Sequence, residues 1–135
     1  KNCSKSMISV HKKYKSSVMA SMKINRKTVS RWGIYKLKKK ISKKNFFIDG
    51  VFEKPSIKSA PSNKAVIGRY ILPKTIFKKL TNQKPSKGGE IHITDAIQSL
   101  INDNEKFIAH EFDGIYLDCG TMNGFINSNK AIGKV

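Results

Sequence analysis

Between Tyr14 and Ser17 the apolar rhythm of this chain changes period, and no other feature limits its fold as tightly. Met7, Val10 and Tyr14 recur at three- and four-residue intervals among Lys and Ser, which places them along one face of a helix. From 17 to 24 the pattern alternates instead: Val18, Ala20, Met22 and Ile24 fall on one face of a strand, and Ser17, Ser21 and Lys23 on the other. A helix that gives way to a strand within a few residues is the unit from which α/β folds are built. The expectation is an amphipathic helix over 1–14 and a half-buried strand over 17–24.

The remainder alternates in the same way. Residues 31–37 and 45–52 are rich in β-branched and aromatic side chains and read as strands, with the lysine-rich stretch 38–44 as the loop between them. Pro55 and Pro61 bracket a polar loop, and 64–72 returns as an apolar strand. Pro73 suits the first turn of a helix reaching Leu80, with Ile76, Phe77 and Leu80 as its buried stripe. After a loop over 82–89, Thr94 is read as the N-cap of a helix whose inner face is Ile97, Leu100 and Ile101. Residues 106–112 and 115–117 read as a hairpin about Asp113-Gly114, and Thr121 caps a last helix carrying Phe125, Ile126 and Ile132. No repeat and no long linker divides the 135 residues, so one domain over 1–135 is expected.

A formal charge of +18 raises nucleic acid as a partner, since Lys and Arg displace counterions from phosphates. Nearly all of that charge is lysine spread along the chain; the arginines that would form bidentate contacts are only Arg26, Arg31 and Arg69. The charge is read as a solvated surface, and the cluster over 38–44 as a turn whose like charges oppose edge pairing. Apolar runs such as 65–67 and 70–72 are far too short to span a membrane. Cys3 and Cys119 have no nearby Cys or His partner, so neither a zinc site nor a disulfide framework is suggested, and a soluble cytoplasmic protein with reduced thiols is expected.

Three places carry candidate chemistry. Glu53-Lys54-Pro55 follows a strand, where a carboxylate can accept hydrogen bonds from sugar hydroxyls and a lysine can face a phosphate; a surface ion pair is the alternative. Gly33 is either a position where the backbone must approach a ligand or a requirement of strand geometry. Asp118, between a strand and a helix, can ligate Mg²⁺ or simply favour a helix N-terminus. No histidine has the partners of a catalytic triad.

Glu53-Lys54-Pro55, Ala60-Pro61-Ser62-Asn63, Gly68-Arg69-Tyr70, Gly88-Gly89-Glu90 running into Thr94-Asp95-Ala96-Ile97, and Asp118-Cys119-Gly120 together resemble, in order and spacing, the C-terminal half of the bacterial UTP–glucose-1-phosphate uridylyltransferase family. The resemblance implies the C-terminal part of a Rossmann-like nucleotidyltransferase fold with a mixed central sheet, the N-terminal nucleotide-binding half being absent. It also implies that Glu53 and Lys54 contact glucose and its phosphate, that Gly33 admits the sugar, and that Asp118 is one of two carboxylates holding Mg²⁺. Substrates would be glucose 1-phosphate and UTP, with UDP-glucose as product. Trp32 stands where the family has Tyr, and His92 where it has Gln. The chain begins at Lys1 with no glycine-rich phosphate loop, so it is expected to be inactive alone and to need a complementary N-terminal chain; a homo-oligomer through the Gly88–Ile97 stretch is the other expected assembly. The competing expectations are a basic module binding nucleic acid or an acidic partner, and a fragment of a related thymidylyltransferase.

Overall fold

The structure, a computed structural model, describes residues 2–86 and 89–133; Gly88, part of the Gly-Gly-Glu stretch, lies outside them, as do Lys1 and Lys134. Helix α1 spans Cys3–Tyr14 and opens where the Asn2 side chain accepts the Lys5 N–H. It ends at Lys15, which adopts the left-handed conformation and donates to the His11 carbonyl. Its buried Met7 and Val10 pack on Val18 and Ala20 of strand β1, Ser17–Lys23.

β1 is not half-buried as its alternation suggests. Met19 and Ser21, on the face read as polar, are as fully covered as Val18 and Ala20. Met19 packs with Tyr35, Val51, Ile97 and Phe107 in the main core, so the strand is sandwiched between that core and α1.

The other strands are β2 (Gly33–Lys40), β3 (Asn45–Glu53), β4 (Lys64–Ile71) and β5 (Phe107–Glu111). They join in the order β1-β4-β2-β3-β5 and close back on β1. β1 and β5 run parallel, and the other pairs are antiparallel. The fold is thus mixed α/β with a mixed sheet, here curled into a small barrel, a closure that leaves no free sheet edge among these strands. Tyr35 points into it and its hydroxyl donates to the Ala20 carbonyl at 2.9 Å; burial pushes its phenol well above the ordinary value.

Further expectations change. Lys38, Lys39 and Lys40 continue β2; Lys38 falls at a bulge, Lys39 and Lys40 pair with Phe47 and Phe46 of β3, and the connecting loop is only 41–44. Ladder pairing uses backbone groups, and the lysine side chains stay in solvent. The hairpin about Asp113-Gly114 does not form: β1 and β3 already occupy both sides of β5, and Ile115 is 80% exposed. Helix α2 starts at Thr75 rather than Pro73 and runs to Thr81, burying Ile76 but leaving Phe77 70% exposed.

Helix α3, Ile93–Asn102, lies on β3 and α2 through Ala96, Ile97 and Leu100. Its N-cap position is His92, so Thr94 falls inside the first turn and its side chain points elsewhere. Thr121 does cap helix α4, Met122–Ile132, accepting the Gly124 N–H at 3.0 Å. Among the described residues no helix is long and apolar enough to cross a membrane.

Candidate sugar-binding cleft

The first residue of β2 is Gly33 and the last of β3 is Glu53, and the ladder pairs the two directly. One residue on, the Lys54 N–H donates to the Trp32 carbonyl at 3.0 Å. Gly33, Glu53 and Lys54 therefore meet at one end of the barrel. Lys54 has φ 44°, a left-handed conformation that costs a non-glycine residue about 1 kcal/mol and turns the chain sharply out of β3. Its side chain is exposed.

Gly33 is buried, and space explains the residue type. A Cβ there would lie 3.0 Å from Val66 Cγ2 and 3.2 Å from Glu53 Oε2. The same Oε2 accepts the Thr94 hydroxyl at 3.3 Å. Glu53 is thus hemmed in from two sides and forms a wall between two clefts.

The first cleft, about 250 Å³, lies over Gly33 and is walled by Trp32, Tyr70 and Tyr116. Trp32 and Tyr116 meet edge to face, with ring centroids 5.4 Å apart. Burial, then the charge of Glu53, then Tyr116 raise the Tyr70 phenol above its ordinary value. Burial also raises Tyr116, assisted by Asp118 and Cys119. Both hydroxyls stay neutral at physiological pH and can donate as well as accept. The second cleft, about 360 Å³, lies on the Lys54 side and also carries Glu90, His92 and Asp95. Its two further carboxylates repel an anion, and among the described lining residues Lys54 supplies the opposing charge.

Asp118 sits outside both clefts, in the irregular segment before α4, with its charge felt at Tyr116. Its Oδ1 accepts the Gly120 N–H at 2.9 Å in a local turn. Gly124 presses against this turn so closely that a Cβ would stand 2.2 Å from the Asp118 carbonyl oxygen. Among the described residues no three His, Cys, Asp or Glu side chains gather to hold a metal ion. Asp118 fits the part of a single Mg²⁺ ligand and no more, since Mg²⁺ keeps its remaining positions for other carboxylates, phosphates and water.

Sequence reasoning assigned Gly33, Glu53 and Lys54 to the site but noted Trp32 only as a departure from the family's Tyr, Tyr70 only within a motif and Thr94 only as a cap; folding joins them from separate elements. Trp32 beside Gly33 was a signal within reach. Arg69, one of the three arginines, donates to Ser4 Oγ on α1 at 2.7 Å. Two larger grooves, between α2 and α3 (about 510 Å³) and beside Lys38 and Lys39 (about 500 Å³), gather none of the site residues named from the sequence.

Comparison with known proteins gives this geometry a family. The profile of the nucleotidyl transferase family matches residues 2–135. A UTP--glucose-1-phosphate uridylyltransferase of Pseudomonas aeruginosa is 37% identical over 122 residues, covering 90% of this chain and 43% of the relative. A crystal structure of UDP-glucose pyrophosphorylase complexed with UDP-glucose superposes with a TM-score of 0.89 at 38% identity, over 96% of this chain and 49% of that one. UTP-bound UGPase from Acinetobacter baumannii superposes at 0.80 with 30% identity, over 94% and 43% of the two chains. The chain thus spans about half the length, or somewhat less, of the proteins it resembles. With a match running from the second residue to the last and this agreement in fold, the chain belongs to the nucleotidyl transferase family.

Proposed function

We propose that this chain forms the glucose 1-phosphate side of a UTP–glucose-1-phosphate uridylyltransferase site. The observation that carries the reading is the Glu53 carboxylate set beside Gly33 in a cleft walled by Trp32, Tyr70 and Tyr116. A hexose offers hydroxyls around its rim and apolar C–H groups on its faces. A carboxylate accepts from the first and aromatic rings cover the second. In the relatives named above, the names themselves speak of UTP, glucose 1-phosphate and UDP-glucose.

In the proposed reaction a phosphate oxygen of glucose 1-phosphate attacks the α-phosphorus of UTP. A new P–O bond forms, the bond from that phosphorus to the bridging oxygen breaks, and pyrophosphate leaves with the electron pair. Glu53 orients the sugar through its hydroxyls. Lys54 faces the sugar phosphate from the rim of the second cleft. Gly33 leaves room for the ring, and the aromatic wall excludes water. Magnesium, with Asp118 as one ligand, would neutralise phosphate charge. The grip on UTP is assigned to the part of the fold that the relatives have beyond this chain's span, so catalysis requires that part. The thiols of Cys3 and Cys119 are unbridged, which suits a cytoplasmic location.

Calorimetric titration of glucose 1-phosphate into the chain tests the reading. Glu53→Gln and Lys54→Ala are each expected to weaken binding roughly tenfold or more, by removing a charged hydrogen-bonding partner. Lys39→Ala, on the exposed part of β2, should leave it unchanged. Absence of binding, or equal damage from Lys39→Ala, would show that the cleft is not the sugar site.

A further inference from the structure

We propose that Thr94 is a positioning residue for Glu53, so that the stretch 89–96 shapes the sugar site as well as opening a helix; the inference rests on the sugar-binding reading of Glu53. Thr94 is 5% exposed and stands in the first turn of α3, where the capping position belongs to His92. Its hydroxyl has no capping bond to make. It donates instead to Glu53 Oε2 at 3.3 Å, across 41 residues of sequence. Oε2 is the oxygen that also faces Gly33, 3.2 Å from where a Cβ would be. One oxygen of the carboxylate is thereby turned inward, between the strand and the helix, and Oε1 is left for ligand hydroxyls.

The alternative for the side chain is motion. Glu53 borders both clefts, and a glutamate free at its own torsions can swing between them. The bond from Thr94 selects one setting. The branched Cβ of threonine adds stiffness, since it restricts χ1 more than serine does. The donor is also fixed relative to the strand: Gln98, one turn further along α3, accepts the Val51 N–H at 2.8 Å, two residues before Glu53. Helix α3 and the end of β3 behave as one body, and a hydroxyl carried by the helix can hold a carboxylate carried by the strand.

The test is glucose 1-phosphate affinity, measured calorimetrically on the full chain. Thr94→Val keeps the shape and removes the donor, and is expected to weaken binding about fivefold to tenfold. Thr94→Ser restores the hydroxyl and should bind within about twofold of the unsubstituted chain. In a Glu53→Ala background, which removes the acceptor, the further loss from Thr94→Val should shrink to less than about twofold, because the two residues act through one contact. A purely structural threonine would give equal losses in both backgrounds and no rescue by serine, which would overturn the proposal. Equal binding by Thr94→Val and the unsubstituted chain would overturn it too, while leaving the sugar reading standing. No binding by the unsubstituted chain would remove both. Should Thr94→Val fail to fold, Thr94→Ala carries the same comparison.

Discussion

The barrel end that holds Gly33 and Glu53 and the arm of residues 113–133 that holds Asp118 were both marked by short motifs, yet they are supported very differently. Gly33 and Glu53 are paired across a ladder, roofed by α3 and backed by Val66 in the main core. The arm leaves the barrel at the Lys44–Asp113 ion pair. It then exposes Ile115, Met122 (74% exposed), Phe125, Ile126 and Ile132. Its tie back to the cleft is the edge-to-face contact of Tyr116 with Trp32. The proposed sugar site is therefore carried by the well-packed end of the barrel, whereas the proposed metal ligand hangs on a segment that this chain covers poorly.

Hydrogen exchange should show the widest difference. Ile34 and Tyr35 are buried in the β2 ladders and the Val51 N–H is held by Gln98 Oε1 under α3, so opening these amides requires breaching the barrel. Amides over 113–120 have no ladder to break. The first group is expected to exchange on the order of 10³ times more slowly, or slower still. Comparable rates in the two regions would erase the contrast and with it the view that the cleft is self-supporting.

That contrast also explains what could be read in the sequence. The helix over 1–14, the strands over 45–52 and 64–72 and the capped helix after Thr121 follow from local periodicity and caps, which the sequence carries within a few residues. Non-local competition was not legible. Ile115, Tyr116 and Leu117 look like a strand, but their partner β5 is taken on both sides. Met19 looks incidental in β1 until the barrel closes over it. At the site, Gly33 was named apart from the adjacent pair Glu53 and Lys54, and the fold brings them together. Thr94 was read as a cap because Thr before an apolar run usually is one; the neighbour that claims its hydroxyl is 41 residues away.

A smaller effect comes from adding one carbon in each region. In Gly33→Ala the new Cβ meets Val66 Cγ2 at 3.0 Å, and Val66 is a core residue with little room to retreat. The expected cost is about 1–3 kcal/mol of unfolding free energy, read from denaturant midpoints. The substitution should also weaken glucose 1-phosphate binding, since the Cβ pushes on Glu53 Oε2. In Gly120→Ala the Cβ meets only the Asp118 side chain, at 3.1 Å, in an exposed turn. Stability should change by no more than about 0.5 kcal/mol. A Gly120→Ala penalty as large as that of Gly33→Ala would mean the arm is packed more firmly than its exposure indicates.

The smallest expected effect is a pH dependence that belongs to the barrel and not to the arm. His110 on β5 is 7% exposed. Its Nδ1 lies 2.8 Å from Asn45 Oδ1 on β3 and its Nε2 3.0 Å from Ser6 Oγ on α1, so one ring ties three elements together. Burial first, and then the Lys44 ammonium, hold its pKa below the ordinary histidine value, with Asp113 pulling weakly the other way. The folded state therefore prefers the neutral ring more than the unfolded chain does. The resulting stability is fully present above about pH 6.5, the unfolded value, and is lost as the pH falls through the lower folded value. Denaturant midpoints should drop between pH 8 and pH 5, and His110→Asn should make that drop smaller. An unchanged drop in His110→Asn would assign the acid sensitivity to other groups and remove His110 from the ties that make the barrel the firmer half of the comparison.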